Sequence, residues 1–306
     1  ATCGVFGAAA AAAKLLGMDA DGIRNAFGIA LSQAAGSLEF LADGAWTKRS
    51  HVGQAAQNGL MCAVLANEGY RGVKKPFEGK AGFFAAYAPD SRPEKAVKGL
   101  REEWETLRLA VKPYPSCRYS HASIDALLEL VQESDIDPQD IEDVQIGVSQ
   151  TGILLIGEPE ARKQNPKNVV DGQFSMPFCA AVALRERGFK WDDYDRHLND
   201  KETLELCRKV RTVVDQRAEN EFPENLSGVA LVRTKHGNYE KFVAVPKGEP
   251  DNFLSDQEFQ TKFDGLCEPY LGEENTRRLA DLILALENSN NVQSIIAMSQ
   301  KLESKV

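Results

Sequence analysis

Histidine is scarce in this chain: His51, His121, His197 and His236 are the four among 306 residues. They stand far apart with no HExxH or similar spacing, so the pattern offers no metal site. The six cysteines, Cys3, Cys62, Cys117, Cys179, Cys207 and Cys267, include no CxxC pair. That argues against a structural zinc and a disulfide framework, and it suits a reducing, cytoplasm-like compartment. No apolar run is long enough to cross a bilayer and no signal peptide is visible, so no membrane partner is expected. A Lys/Arg-rich tract with interleaved aromatics is also missing, and 36 basic against 45 acidic residues leave a net charge of -9. Nucleic acid is a poor partner for such a chain, whereas a small anion would feel the local cations of a pocket more than the overall field. The segment Gly79-Lys80-Ala81-Gly82 lacks the pattern of a phosphate-cradling loop.

What is present suits a globular protein of about two domains, with 43% hydrophobic and 26% charged residues. Residues 4–17 carry the run Ala8 to Ala13, which lets neighbouring helices approach closely inside a bundle. Asp19 is a candidate N-cap for a helix with Ile23, Phe27, Ala30, Leu31 and Ala34 at helical spacing. After a loop over 37–50, a helix following His51 presents Ala56, Leu60, Ala63 and Val64 on one face. A short helix begins at Phe83, and 89–93 reads as a turn. Beyond residue 106 the pattern mixes strands at 107–111 and 144–148, helices at 120–132 and 175–187, and a helix at 201–210 running into Val213. A hairpin over 228–234 and 239–245 turns around His236-Gly237-Asn238, and 246–250 reads as a linker. Helices return at 255–266, 274–287 and 292–302. The expected fold is mainly α with an α+β part: a helical domain over 1–106, an α+β lid over 107–247, and C-terminal helices over 248–306 that return to the helical domain.

Two cationic stretches stand out. In the first, Lys48, Arg49 and His51 occupy a turn before a helix start, whose unpaired N–H groups and dipole favour an anion; the plain alternative is a solvated basic turn capped by Ser50. The second is Lys112-Pro113-Tyr114-Pro115-Ser116-Cys117-Arg118-Tyr119-Ser120-His121. Its two prolines stiffen the loop and hold Lys112 and Arg118 near another helix start. Arg118 could instead pair with Asp125 on its own helix, and Tyr119 and His121 could serve only packing or capping. Cys117 beside Arg118 has a setting that lowers a thiol pKa, yet no Cys-His-Asn arrangement is legible. His197 and His236 read as surface residues. Together, two such turns on two domains suit a ligand with several carboxylates.

Several separated segments, in order, resemble the MmgE/PrpD family: Thr47-Lys48-Arg49-Ser50-His51-Val52-Gly53 with Asn58-Gly59-Leu60, Phe77-Glu78-Gly79-Lys80-Ala81-Gly82-Phe83, Lys112-Pro113-Tyr114-Pro115-Ser116-Cys117 and Gln173-Phe174-Ser175-Met176-Pro177-Phe178. The resemblance implies a helical domain broken by an α+β lid, a homodimer, and chemistry on small polycarboxylates without metal or other cofactor. It implies a lyase of the 2-methylcitrate dehydratase kind, with cis-aconitate decarboxylation and iminodisuccinate epimerisation as alternatives. Lys48, His51 and Lys112 would be catalytic, and Arg49, Cys117, Arg118, Tyr119 and His121 would bind substrate. Family decarboxylases carry a histidine where this sequence has Cys117, a departure that weighs against decarboxylation. The family's helical domain also starts before the position matching Ala1 and places an aspartate and histidines there. Ala1 is accordingly read as something other than a natural start, and a catalytically incomplete fragment with a binding or structural role is the rival reading. A cytoplasmic location is expected, a mitochondrial one staying open.

Overall fold

The structure, a computed structural model, describes residues 1–88 and 90–300. It divides into two compact units, Ala1–Trp104 and Glu105–Val306. Among the described residues, no helix is long and apolar enough to cross a membrane. The fold is mainly helical with one small sheet.

The first unit is built on three helices, Gly4–Leu15, Ala20–Ala30 and Thr47–Asn67. Asp19 caps the second, its carboxylate accepting the Gly22 N–H at 2.8 Å. The long helix buries Ala55, Gly59, Cys62, Ala63 and Ala66. The face expected from its larger apolar residues is not the buried one: Leu60 is 54% and Val64 41% exposed. The alanine run decides this. Small side chains on both helices let backbones come so close that a Cβ at Gly59 would lie 2.5 Å from the Ala8 Cβ and 2.6 Å from the Val5 carbonyl oxygen. Dispersion over this tight seam and a cluster of rings close the core, with Phe6 at 4.9 Å from Phe77 and 5.3 Å from Phe83. Of the turn expected at 89–93, Pro89 lies outside the described residues.

The second unit holds a four-stranded mixed sheet in the order β2-β1-β3-β4, with β1 Ile141–Val148, β2 Val210–Val214, β3 Gly228–Thr234 and β4 Gly237–Val243. Here β1 runs parallel to β2, Val144 opposite Val210, and antiparallel to β3, Gln145 opposite Leu231. The helix His121–Ser134 packs on β3 and β4, and Met176–Glu186 packs against it. Every residue from Met176 to Leu184 is buried, which marks an interior helix rather than an amphipathic surface one. The hairpin forms as its spacing indicates, Val232 opposite Tyr239.

Two secondary-structure expectations of the second unit fail. The helix Lys201–Arg208 ends early, and Val210–Val214 is a strand; its β-branched residues pair with β1, a partner some sixty positions away that local periodicity does not reveal. Leu107 to Val111 is no strand: Glu105–Arg108 is a 3-10 turn closed by an Arg108–Glu105 ion pair at 3.1 Å, and Leu107 is 81% exposed. The C-terminal helices are Asp256–Leu271, Glu273–Leu284 and Gln293–Met298; the end of the helix expected over 292–302 falls outside the described residues.

Candidate active site

In the first unit, Lys48, Arg49 and His51 lie within the helix Thr47–Asn67 rather than in a turn before it. Trp46 is the N-cap without a side-chain cap, and Ser50 turns its hydroxyl back to the Thr47 carbonyl at 2.9 Å. The Ser50 cap is therefore replaced by an i−3 contact, and the two cations sit on the first helical turn. Lys48 Nζ lies 5.8 Å from the centre of the Phe40 ring, and the Arg49 guanidinium 5.1 Å from that of Trp46. His51 meets Phe40 edge to face, the rings 6.2 Å apart. Both cations are exposed, each against the face of an aromatic ring.

In the second unit, Lys112, Cys117, Arg118, Tyr119 and His121 come together in one loop ahead of the helix His121–Ser134. Its shape is fixed by hydrogen bonds from distant elements. The Cys117 N–H donates to the Gln173 carbonyl at 2.8 Å, and the Tyr194 hydroxyl donates to the Pro115 carbonyl at 2.8 Å. Ser116 and Ser120 share a hydroxyl contact at 2.8 Å, and the Lys112 ammonium donates to the Ser116 carbonyl at 2.8 Å. Arg118 pairs with Glu249, not with Asp125. Asp125 is occupied by the Tyr114 hydroxyl at 2.6 Å and the Lys247 N–H at 2.7 Å, and its burial raises its pKa.

The segment around 247–252 is not a slack linker but a strap. The Val111 N–H donates to the Gly248 carbonyl at 2.8 Å, and Gly248 adopts φ +90 where a Cβ would stand 1.9 Å from the Val111 oxygen. Only glycine allows that crossing.

His121 is buried, at 2% exposure, and its ring meets Tyr114 edge to face. Burial, with the nearby charges of Lys112, Arg118 and Lys262, drives its pKa down to about 3 against a pull upward from a hydrogen bond with the Ser116 backbone. The ring is thus neutral at pH 7, and its Nε2 has no hydrogen-bond partner among the described residues. It stands behind the loop rather than on its outer surface. Tyr119 is half-buried against Phe222, with its phenol pKa raised by burial and by Cys117, while Cys117 itself is buried at 8% exposure.

Lys163 is a half-buried cation of this unit that its own sequence segment does not announce. Its ammonium donates to the carbonyls of Leu155 and Phe174, each at 2.7 Å, and burial followed by Arg162 lowers its pKa. The only signal was its place ahead of Gln173-Phe174-Ser175. His197, expected at the surface, is buried, bonded through Nδ1 to the Thr203 hydroxyl at 2.7 Å and through Nε2 to Glu186 at 2.9 Å. Glu186, Asp193 and His197 have donor atoms within 4.8 Å of one another. Arg196 already bonds both carboxylates and both imidazole nitrogens are engaged, so a metal would have to displace a resident cation.

The MmgE/PrpD N-terminal domain matches residues 1–96, and the MmgE/PrpD C-terminal domain matches residues 114–288. The chain is 30% identical over 310 residues to the cis-aconitate decarboxylase-like protein oryM of Aspergillus oryzae, covering 96% of this chain and 64% of that protein. It is 27% identical over 321 residues to a cis-aconitate decarboxylase of Aspergillus terreus, with 97% and 64% covered, and 25% identical over 300 residues to the Homo sapiens cis-aconitate decarboxylase, with 93% and 59% covered. The chain therefore spans less than two thirds of the length of these relatives.

Proposed function

The chain belongs to the MmgE/PrpD family, and from that premise we propose that it is a lyase acting on a small polycarboxylate, with decarboxylation of a cis-aconitate-like acid as the first reading. The names of its relatives favour that reaction over the dehydration expected from the sequence. The single observation behind the polycarboxylate is the loop 112–121, where Lys112 and Arg118 are held on a strapped backbone in a chain of net charge -9.

When CO2 leaves, the bond between a carboxylate carbon and its neighbour breaks, the electron pair stays on that neighbour, and a proton then quenches it. Charge accumulates while other carboxylates are already ionised, so fixed cations lower the barrier. In this reading Lys112 of the second unit holds a substrate carboxylate with Arg118 in support; in the first unit Lys48 and Arg49 are the candidate carboxylate ligands, and His51 or a lysine is the candidate proton donor. His121 acts as a positioning residue, because its neutral ring backs the Ser116 carbonyl that anchors Lys112.

Dehydration of a 2-methylcitrate-like hydroxy acid is the second reading, favoured by Cys117 at the position where family decarboxylases carry a histidine. There a C–H proton is removed and hydroxide leaves the adjacent carbon, protonated to water.

The test is incubation of the intact protein with a panel of di- and tricarboxylates, following products by NMR. Lys112→Ala and Lys48→Ala are each expected to lower kcat/KM by about 100-fold or more. Near-normal turnover in both variants would remove the proposal. CO2 release against water loss distinguishes the two readings.

A further inference from the structure

In the first unit, the helix Ala20–Ala30 carries Ile23 and Phe27 one turn apart, facing the segment that follows the long helix. Backbone contact fixes the two against each other: a Cβ at Gly28 would stand 2.2 Å from the Val73 carbonyl oxygen, and one at Gly72 2.5 Å from the Gly28 carbonyl carbon. Only glycines fit at that crossing. Asn25 completes the joint, its Nδ2 donating to the Tyr70 carbonyl at 2.6 Å and its Oδ1 accepting the Gly72 N–H at 2.7 Å. The chain then turns back on itself, the Phe83 N–H donating to the Pro76 carbonyl at 2.8 Å, and Phe77 meets Phe27 edge to face, the ring centres 5.4 Å apart.

Between these two surfaces lies a pocket of about 410 Å³, a size that takes one small molecule. Ile23, Phe27 and Phe77, all half-buried, give it an apolar floor, and Phe6 backs both rings at 4.9 Å from Phe77 and 6.2 Å from Phe27. Its charged lining is Arg24, Lys74 and Glu78, all exposed. Arg24 leans on Asp21 at 3.2 Å, a solvent-exposed contact of little worth. Lys74 and Glu78 have opposite charges, yet among the described residues neither forms an ion pair or hydrogen bond, with the other or with any third group. A rigid apolar floor under a purely cationic rim would suit a hydrophobic anion. A rim of both signs suits a ligand that carries both.

We infer that this pocket binds an α-amino acid with an aromatic side chain, its ring on Phe27 and Phe77, its carboxylate toward Lys74 and Arg24 and its ammonium toward Glu78. Such a zwitterion meets both unpaired charges at once, and its ring adds an edge-to-face contact that an aliphatic side chain lacks. The pocket shares no residue with the cationic stretches, so the inference does not depend on the lyase reading.

The experiment is titration of the intact protein, followed by ligand-observed NMR, with L-phenylalanine, with 3-phenylpropanoate, which lacks the ammonium, and with 2-phenylethylamine, which lacks the carboxylate. L-Phenylalanine is expected to bind about fivefold more tightly than either. Lys74→Gln should weaken L-phenylalanine and 3-phenylpropanoate about fivefold and leave 2-phenylethylamine within about twofold. Glu78→Gln should weaken L-phenylalanine and 2-phenylethylamine by a similar factor without weakening 3-phenylpropanoate. Both side chains are exposed and unpartnered, so both variants should melt with the parent. Absence of L-phenylalanine binding overturns the inference, as does 3-phenylpropanoate binding as tightly as L-phenylalanine, which would mark an anion site. Variants that weaken all three ligands alike, or none, overturn it too.

Discussion

Burial of His121 gives the loop a dependence on pH that its surface cations do not have. Its folded pKa of about 3 lies below the ordinary value of 6.5, so the unfolded chain takes up a proton first as the pH falls. Stability is full above about pH 6.5 and drains away toward pH 3. Between pH 7 and 5 this costs on the order of 2 kcal/mol. Urea unfolding of the parent and of His121→Asn across that range measures it: the parent should lose more stability by about that amount, and parallel curves would contradict the burial argument. The same residue illustrates what side-chain identity alone conveys. A histidine at a helix start reads as a cap or a ligand, because nothing in the neighbouring letters announces the packing that leaves it 2% exposed.

Among the elements, the seam between Gly4–Leu15 and Thr47–Asn67 depends on a missing side chain. Gly59→Ala adds helix propensity of about 1 kcal/mol but drives a methyl into Ala8 and the Val5 carbonyl. Overpacking costs about 1–3 kcal/mol, so the net effect is a loss. Gly53→Ala, on the same helix with nothing within 4 Å of the added methyl, should gain about 0.5–1 kcal/mol. Melting temperatures of the two variants moving in opposite directions is the expected outcome; movement in the same direction contradicts the seam. The helices, the hairpin and the Asp19 cap were legible because their signals are local: apolar spacing, turn residues, one capping carboxylate. The buried stripe of the long helix was not, since a seam of Ala55, Gly59 and Cys62 carries less apolar weight than the exposed Leu60 and Val64. Strand Val210–Val214 and the strap at Gly248 escaped for another reason, their partners being distant in sequence. For the candidate site, the cationic residues were legible as letters, whereas the carbonyl, carboxylate and ring that hold each of them were not.

Over the whole molecule, the thiols report how tightly both units are closed. Cys62, Cys117, Cys179 and Cys207 are buried, whereas Cys3 is exposed and Cys267 half-buried. Burial pushes the Cys179 and Cys207 thiols up to about 12, which removes the reactive thiolate at neutral pH. A thiol-reactive dye should therefore label Cys3 at once, Cys267 more slowly, and the other four only after denaturant. Rapid labelling of five or six in buffer would contradict this packing. The strap that shapes the cationic loop has a further implication for biosynthesis. Arg118 and its partner Glu249 are 131 positions apart, a stretch that a ribosome adding about 5–20 residues per second needs on the order of ten seconds to deliver. Throughout that interval the nascent chain carries its proline-stiffened basic segment without the Gly248 crossing or the Lys247 clasp, so the shape of this loop is set only after residue 249 has been added.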